Sequence, residues 1–148
     1  MINKIILRNI KCFASQEFPF SGLNILTGIN GAGKSTVIQS ILLVAQTEKS
    51  AFIEFNGSLI ELGDYSDLQH ENAQDDGACI SIESDSGTCS WGYDEGFECD
   101  KDEFVTHLPL IDGAENDLSR IKENLIYISA ERWGPRANVP LNTHNPNP

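Results

Sequence analysis

The sequence predicts an α/β fold, with a mixed sheet around one amphipathic helix and an antiparallel β lobe beside it. Three observations carry that expectation. Residues 28–36, Gly-Ile-Asn-Gly-Ala-Gly-Lys-Ser-Thr, fit the phosphate-loop pattern G-x-x-x-x-G-K-[ST] with Gly28, Gly33, Lys34 and Ser35 in register. An apolar run containing Leu23, Ile25 and Leu26 enters the loop, and Val37, Ile38, Ile41, Leu42 and Ala45 leave it at three-to-four-residue spacing. Further on, residues 78–83, 89–93 and 97–99 alternate apolar and polar side chains between Asp-Ser-Gly and Asp-Glu-Gly turns, the pattern of a meander.

From the N-terminus, residues 2–10 are expected as a strand and residues 17–20 as a second, closed by Pro19 and Ser21-Gly22. Residues 23–27 are expected as a buried strand, and a helix then runs from Lys34 without Gly or Pro before Lys49. Residues 58–62 form a strand candidate, and Asp64 or Ser66 is placed to cap a short helix within 63–70. After the meander, residues 113–124 suggest a short polar helix and residues 125–130 a further buried strand. Residues 142–148 form a polar tail with two prolines and no periodicity.

The loop's composition follows from what phosphates require. They are bound mainly by backbone N–H groups, which a Cβ would obstruct, so Gly28, Gly31 and Gly33 permit positive φ and close approach. The N–H groups of Asn30, Gly31, Ala32, Gly33, Lys34, Ser35 and Thr36 are then expected to line a nest at a helix N-terminus, where unpaired donors and the helix dipole favour negative charge. In that arrangement Lys34 reaches the β and γ phosphates, Ser35 places its hydroxyl on Mg²⁺, and Thr36 donates near the α phosphate. ATP and Mg²⁺ are the expected ligands.

Composition limits the alternatives. At 148 residues, 40% hydrophobic and 22% charged, the chain suits one globular domain, and no apolar run approaches the roughly 18 residues of a membrane span, so a cytoplasmic protein is expected. Cys12, Cys79, Cys89 and Cys99 show no C-x-x-C pair and no histidines at zinc spacing, which points to reduced thiols. The net charge of −12 is uneven: residues 1–50 carry +3, residues 51–131 carry −17 and residues 132–148 carry +2. The acidic middle argues against nucleic acid lying on that surface. Trp91 and Tyr93 are expected to pack on the sheet rather than stack on a base. The absence of an Asn-Lys-x-Asp stretch argues against a GTP switch.

The stretch Leu7-Arg8-Asn9-Ile10-Lys11-Cys12-Phe13, with Phe18, Phe20 and the run from Leu23 to the loop's Thr36, resembles the opening of ATP-binding-cassette-type ATPase heads of the SMC, RecF and OLD-nuclease branch. Their "N-I-K-x-F" strand and "G-x-N-G-A-G-K-S-T" loop both have counterparts here. Ser129-Ala130-Glu131-Arg132-Trp133-Gly134-Pro135-Arg136 resembles the "S-A-E-R-x-G-P-R" stretch of bacterial AAA-type predicted ATPases of the OLD-like group, some of them in phage-defence systems. Leu62-Gly63-Asp64-Tyr65-Ser66-Asp67-Leu68 is similar to their "L-G-x-[YF]-x-D-L" segment.

The resemblance implies a P-loop NTPase of ABC-ATPase-like type, with this chain as the N-terminal part of a head. Residues 1–50 would be the strands, loop and first helix, residues 51–131 an acidic antiparallel lobe and following strand, and residues 132–148 an irregular tail. It implies hydrolysis by a dimer, either a homodimer or a pair with a second ATPase head, with a nuclease or DNA as partner and no membrane. Gln69, 35 residues after Lys34, lies near where such ATPases place a glutamine that senses Mg²⁺ and the γ phosphate. No L-S-G-G-Q-like signature occurs. The strand at 125–130 ends in Ser129 rather than an Asp-Glu pair, so it is read as a different strand, with Glu131 an outside candidate for catalysis. Arg132 and Arg136 suit a phosphate, an acidic partner residue or an ion pair with the acidic middle. A non-catalytic nucleotide-binding interaction module remains the alternative.

Overall fold

Ile5 and Leu7 have no solvent exposure, while their neighbours Lys4, Ile6 and Arg8 are half-buried; this period-two pattern makes residues 2–10 a strand with one face in the core. A computed structural model describes residues 1–47, 51–72, 77–93, 104–113 and 125–128. In chain order its elements are β1 (Ile2–Ile10), β2 (Phe13–Pro19), α1 (Lys34–Gln46), β3 (Phe52–Glu54), α2 (Tyr65–Leu68), β4 (Cys79–Ser84), β5 (Gly87–Gly92) and β6 (His107–Asp112).

The six strands form one sheet in the order β2-β1-β4-β5-β6-β3. Every described pairing is antiparallel, including β1 with β4, where Ile5 faces Ile82 and Leu7 faces Ile80. The expected mixed sheet is thereby corrected among the described residues. The β4–β5 hairpin turns at Asp85-Ser86, and its inward positions Ile80, Ile82, Cys89 and Trp91 are buried together. Trp91 has no exposure, as its expected place on the sheet requires. Leu43 and Val44 of α1 join Ile53, Phe55, Tyr65, Leu68 and Leu108 in the same core. Among the described residues, no helix is long and apolar enough to cross a membrane.

The C-terminal end of α1 is fastened by side chains. Thr47 Oγ1 donates to Leu43 O at 2.8 Å and accepts from Glu54 N at 3.2 Å, while Gln46 Oε1 accepts from Ile60 N at 2.9 Å. Asp64 caps α2, as expected: it accepts from Ser66 N at 2.9 Å, and Asp67 accepts from Asp64 N at 3.2 Å, closing a capping box.

Among the described residues, three expected strands are not formed. Residues 23–27 pair with none of the described residues, leaving Leu23 79% and Ile25 75% exposed; the apolar run demands cover that none of the described residues supplies. Residues 125–128 likewise pair with none of the described residues, and Ile126 and Ile128 stand exposed, while residues 129 and 130 of that expected strand lie outside the described residues. Residues 58–62 bend instead of extending, with one isolated bridge between Asn56 and Glu61 and a bond from Gly57 N to Ile60 O at 2.9 Å. The strand expected at 97–99 and most of the helix expected at 113–124 lie outside the described residues.

Candidate functional site

Residues 28–36 form a loop that ends as the first turn of α1. Gly28, Gly31 and Gly33 all have positive φ, at 147°, 84° and 85°. Gly33 is the N-cap of α1 and no side chain caps it, which leaves the amide donors of the first turn available. A Cβ at Gly33 would lie 2.2 Å from Phe13 Cζ and 2.6 Å from Cys12 Sγ. Glycine is therefore required at this position by both backbone conformation and space.

Beside the loop lies a cavity of about 290 Å³ lined by Cys12, Asn30, Gly31, Gly33, Lys34, Ser35 and Thr36. Six of the seven residues expected to hold phosphate are thus brought together. Ala32 does not line the cavity, and its amide donates to Ile29 O at 3.3 Å. Lys34 Nζ donates to Gly28 O at 2.9 Å and Ile29 O at 2.7 Å, so its ammonium is held at the Gly28 end of the loop. Thr36 is buried at the other end, its Oγ1 4.0 Å from Cys12 Sγ. Among the described residues the lining includes one ammonium, two hydroxyls and no carboxylate, a donor set that fits phosphate oxygens. The hydroxyl of Ser35, in an exposed position, fits one ligand of an Mg²⁺ ion that takes its remaining ligands from water and phosphate.

Gln69 does not share this cavity. It lines a second one of about 480 Å³ with Lys11, Cys12, His70, Glu71 and Asn72 among its walls, and Cys12 is common to both. The β1–β2 turn, which carries Cys12, is tied to the end of α2 and to the residues that follow it. Lys11 N donates to Leu68 O at 2.7 Å, His70 N donates to Asn9 O at 3.1 Å, and Ile10 bridges Gln69. Glu131, Arg132 and Arg136 lie outside the described residues. A third cavity, of about 380 Å³ at the β3–β6 edge, contains Glu54 and shares no residue with the loop.

No motif chemistry marks Cys12 or His70 in the sequence, although both line the second cavity. Their one signal is position, since Cys12 fills the variable place in N-I-K-x-F and His70 follows Gln69. Cys12 and Cys79 are free thiols, and among the described residues no His, Cys, Asp and Glu cluster is placed to hold a metal.

A family model described as AAA domain matches residues 4–131. Two curated proteins from Nanoarchaeum equitans and Methanopyrus kandleri, each called DNA double-strand break repair Rad50 ATPase, are similar to part of the chain. Each is 43% identical over 44 residues, which is 29% of this chain and 6% and 5% of theirs. The similarity therefore spans a small fraction of those relatives' length.

Proposed function

This chain belongs to the AAA domain family, and from that premise we propose that residues 28–36 bind the phosphates of ATP with Mg²⁺. The observation that carries the reading is the left-handed glycine loop, which gathers Asn30, Gly31, Gly33, Lys34, Ser35 and Thr36 around one cavity at an uncapped helix N-terminus. On binding, Lys34 exchanges the carbonyls of Gly28 and Ile29 for the β and γ phosphates, and Thr36 meets the α phosphate. Ser35 would hold Mg²⁺, which would supply positive charge to the phosphate oxygens.

Hydrolysis is proposed for the intact protein as a dimer, homodimeric or with a second ATPase head, coupled to DNA-related or defence activity. The names of the two Rad50 relatives support the DNA-directed part. A cytoplasmic location, where ATP is available, belongs to the same proposal. A second reading, a nucleotide-binding interaction module without turnover, shares the same loop.

Calorimetric titration with ATP and a non-hydrolysable analogue, with and without Mg²⁺, tests the site. Mg²⁺-dependent micromolar binding that Lys34→Ala abolishes is the expected result, and affinity retained in that variant defeats the assignment. Phosphate release measured alongside separates the ATPase from the non-catalytic module.

A further inference from the structure

Resting on the phosphate-site reading above, we infer that Phe13 is a positioning residue for the phosphate loop, its ring holding Gly33 in the left-handed conformation on which the amide nest depends. The place a Cβ would take at Gly33 is already filled: Phe13 Cζ is nearest to it, with Cys12 Sγ at 2.6 Å and Phe13 Cε2 at 2.7 Å. The ring tip therefore meets the glycine at the point where its φ of 85° turns the loop into α1. Val37 N donates to Gly33 O at 3.1 Å, so the same residue also opens the helix ladder. Thr36, three residues on and so on the same face of the first turn, is buried with its Oγ1 4.0 Å from Cys12 Sγ. One face of that turn thus rests on Cys12 and Phe13.

The support behind the ring keeps it in place. Phe13 packs edge to face on Phe18, with centroids 5.1 Å apart, and both lie against the main core. Upstream, two residues other than glycine are held in left-handed conformation, Asn9 at a φ of 52° and Lys11 at 48°. Such backbone persists only where its surroundings fix it. Here Asn9 Nδ2 donates to Gly77 O at 3.1 Å, Lys11 N donates to Leu68 O at 2.7 Å, and the His70 imidazole donates from Nδ1 to Lys11 O. A clasped hairpin that presses an aromatic ring on a glycine orders the loop before the ligand arrives, which lowers the ordering cost of binding. The N-I-K-x-F stretch thereby acquires a physical role, since Phe13 is its last residue.

Calorimetry on the whole chain with Mg²⁺ tests this, with ATP and inorganic tripolyphosphate as ligands and urea unfolding alongside. Phe13→Leu leaves a gap beside Gly33 and is expected to weaken both ligands by the same factor, roughly five- to ten-fold, the cost of ordering about one residue of backbone. Phe13→Tyr extends the ring from the atom nearest the glycine and is expected to weaken both at least as much. Its ring keeps the packing on Phe18, so the test stands if Phe13→Leu does not fold. Ile82→Ala, which opens a cavity in the core on β4, is the control: it is expected to lose stability and keep its affinity at a temperature where it stays folded. Unchanged affinity in both Phe13 variants overturns the positioning role, and so does an equal affinity loss in Ile82→Ala, which makes the effect one of stability alone. A loss confined to ATP also overturns it, because the ring then meets the nucleoside instead of the loop. In each of those cases loss of binding in Lys34→Ala still upholds the phosphate loop, whereas failure of wild type to bind either ligand overturns both readings.

Discussion

Gly33 joins the phosphate loop to the β1–β2 hairpin through the space its missing side chain leaves. Gly33→Ala puts a methyl group 2.2 Å from Phe13 Cζ at a φ of 85°. The substitution is predicted to destabilise the chain by about 1–3 kcal/mol in urea unfolding and to lower ATP affinity at least about ten-fold. Cys12 offers a second readout. It is exposed and lines the phosphate cavity, whereas Cys79 is half-buried on β4. Mg²⁺ and ATP together are expected to slow alkylation of Cys12 by iodoacetamide and leave Cys79 unaffected; equal slowing at both, by peptide mass mapping, would place the nucleotide elsewhere. Asp64 carries a pH dependence. The Ser66 hydroxyl, with help from the backbone amides, holds its carboxyl below the usual aspartate value. A depressed folded value stabilises above the unfolded one and is lost as pH falls, so the α2 cap weakens from about pH 4 downward. Asp64→Asn is expected to flatten that part of the stability profile.

Element by element, what the sequence disclosed followed from burial. β1, β4 and β5 were legible because each is half-buried, and Ile5, Leu7, Ile80, Ile82, Cys89 and Trp91 print that burial as alternation over most of each strand. β3 escaped notice because three residues, Phe52–Glu54, are too short to show a period, and β6 because Pro109 interrupts its run. The run at 23–27 misled for the opposite reason, since an apolar stretch reports that cover is needed and says nothing of who provides it. Ile82→Ala is accordingly predicted to cost about 2–5 kcal/mol in urea unfolding, while Ile25→Ser, at a site already 75% exposed, should stay within about 0.5 kcal/mol. A large loss at Ile25 would mean that the stretch is covered in solution. Within the site, the loop was legible residue by residue because glycine, lysine and hydroxyl are dictated by phosphate chemistry. The second cavity was not, because Cys12 and His70 meet only through the pairing of distant segments.

For the molecule as a whole, that long-range pairing is also what hid the antiparallel sheet. β1 pairs with β4 across more than 70 residues, as in Ile5 with Ile82, and no local pattern announces such a partner. Contacts of this separation slow folding, so refolding followed by the fluorescence of buried Trp91 is expected in milliseconds to seconds rather than microseconds. The turn between β1 and β2 has a further consequence. The amides of Lys11 and His70 close its ties to Leu68 and Asn9, and each is released to solvent only when that clasp opens. A ligand seated in the phosphate cavity, which Cys12 of the turn lines, adds its binding energy to the work of opening. Deuterium uptake at these two amides should therefore slow on ligand addition, so that two ordinary peptide protons serve as a gauge of occupancy.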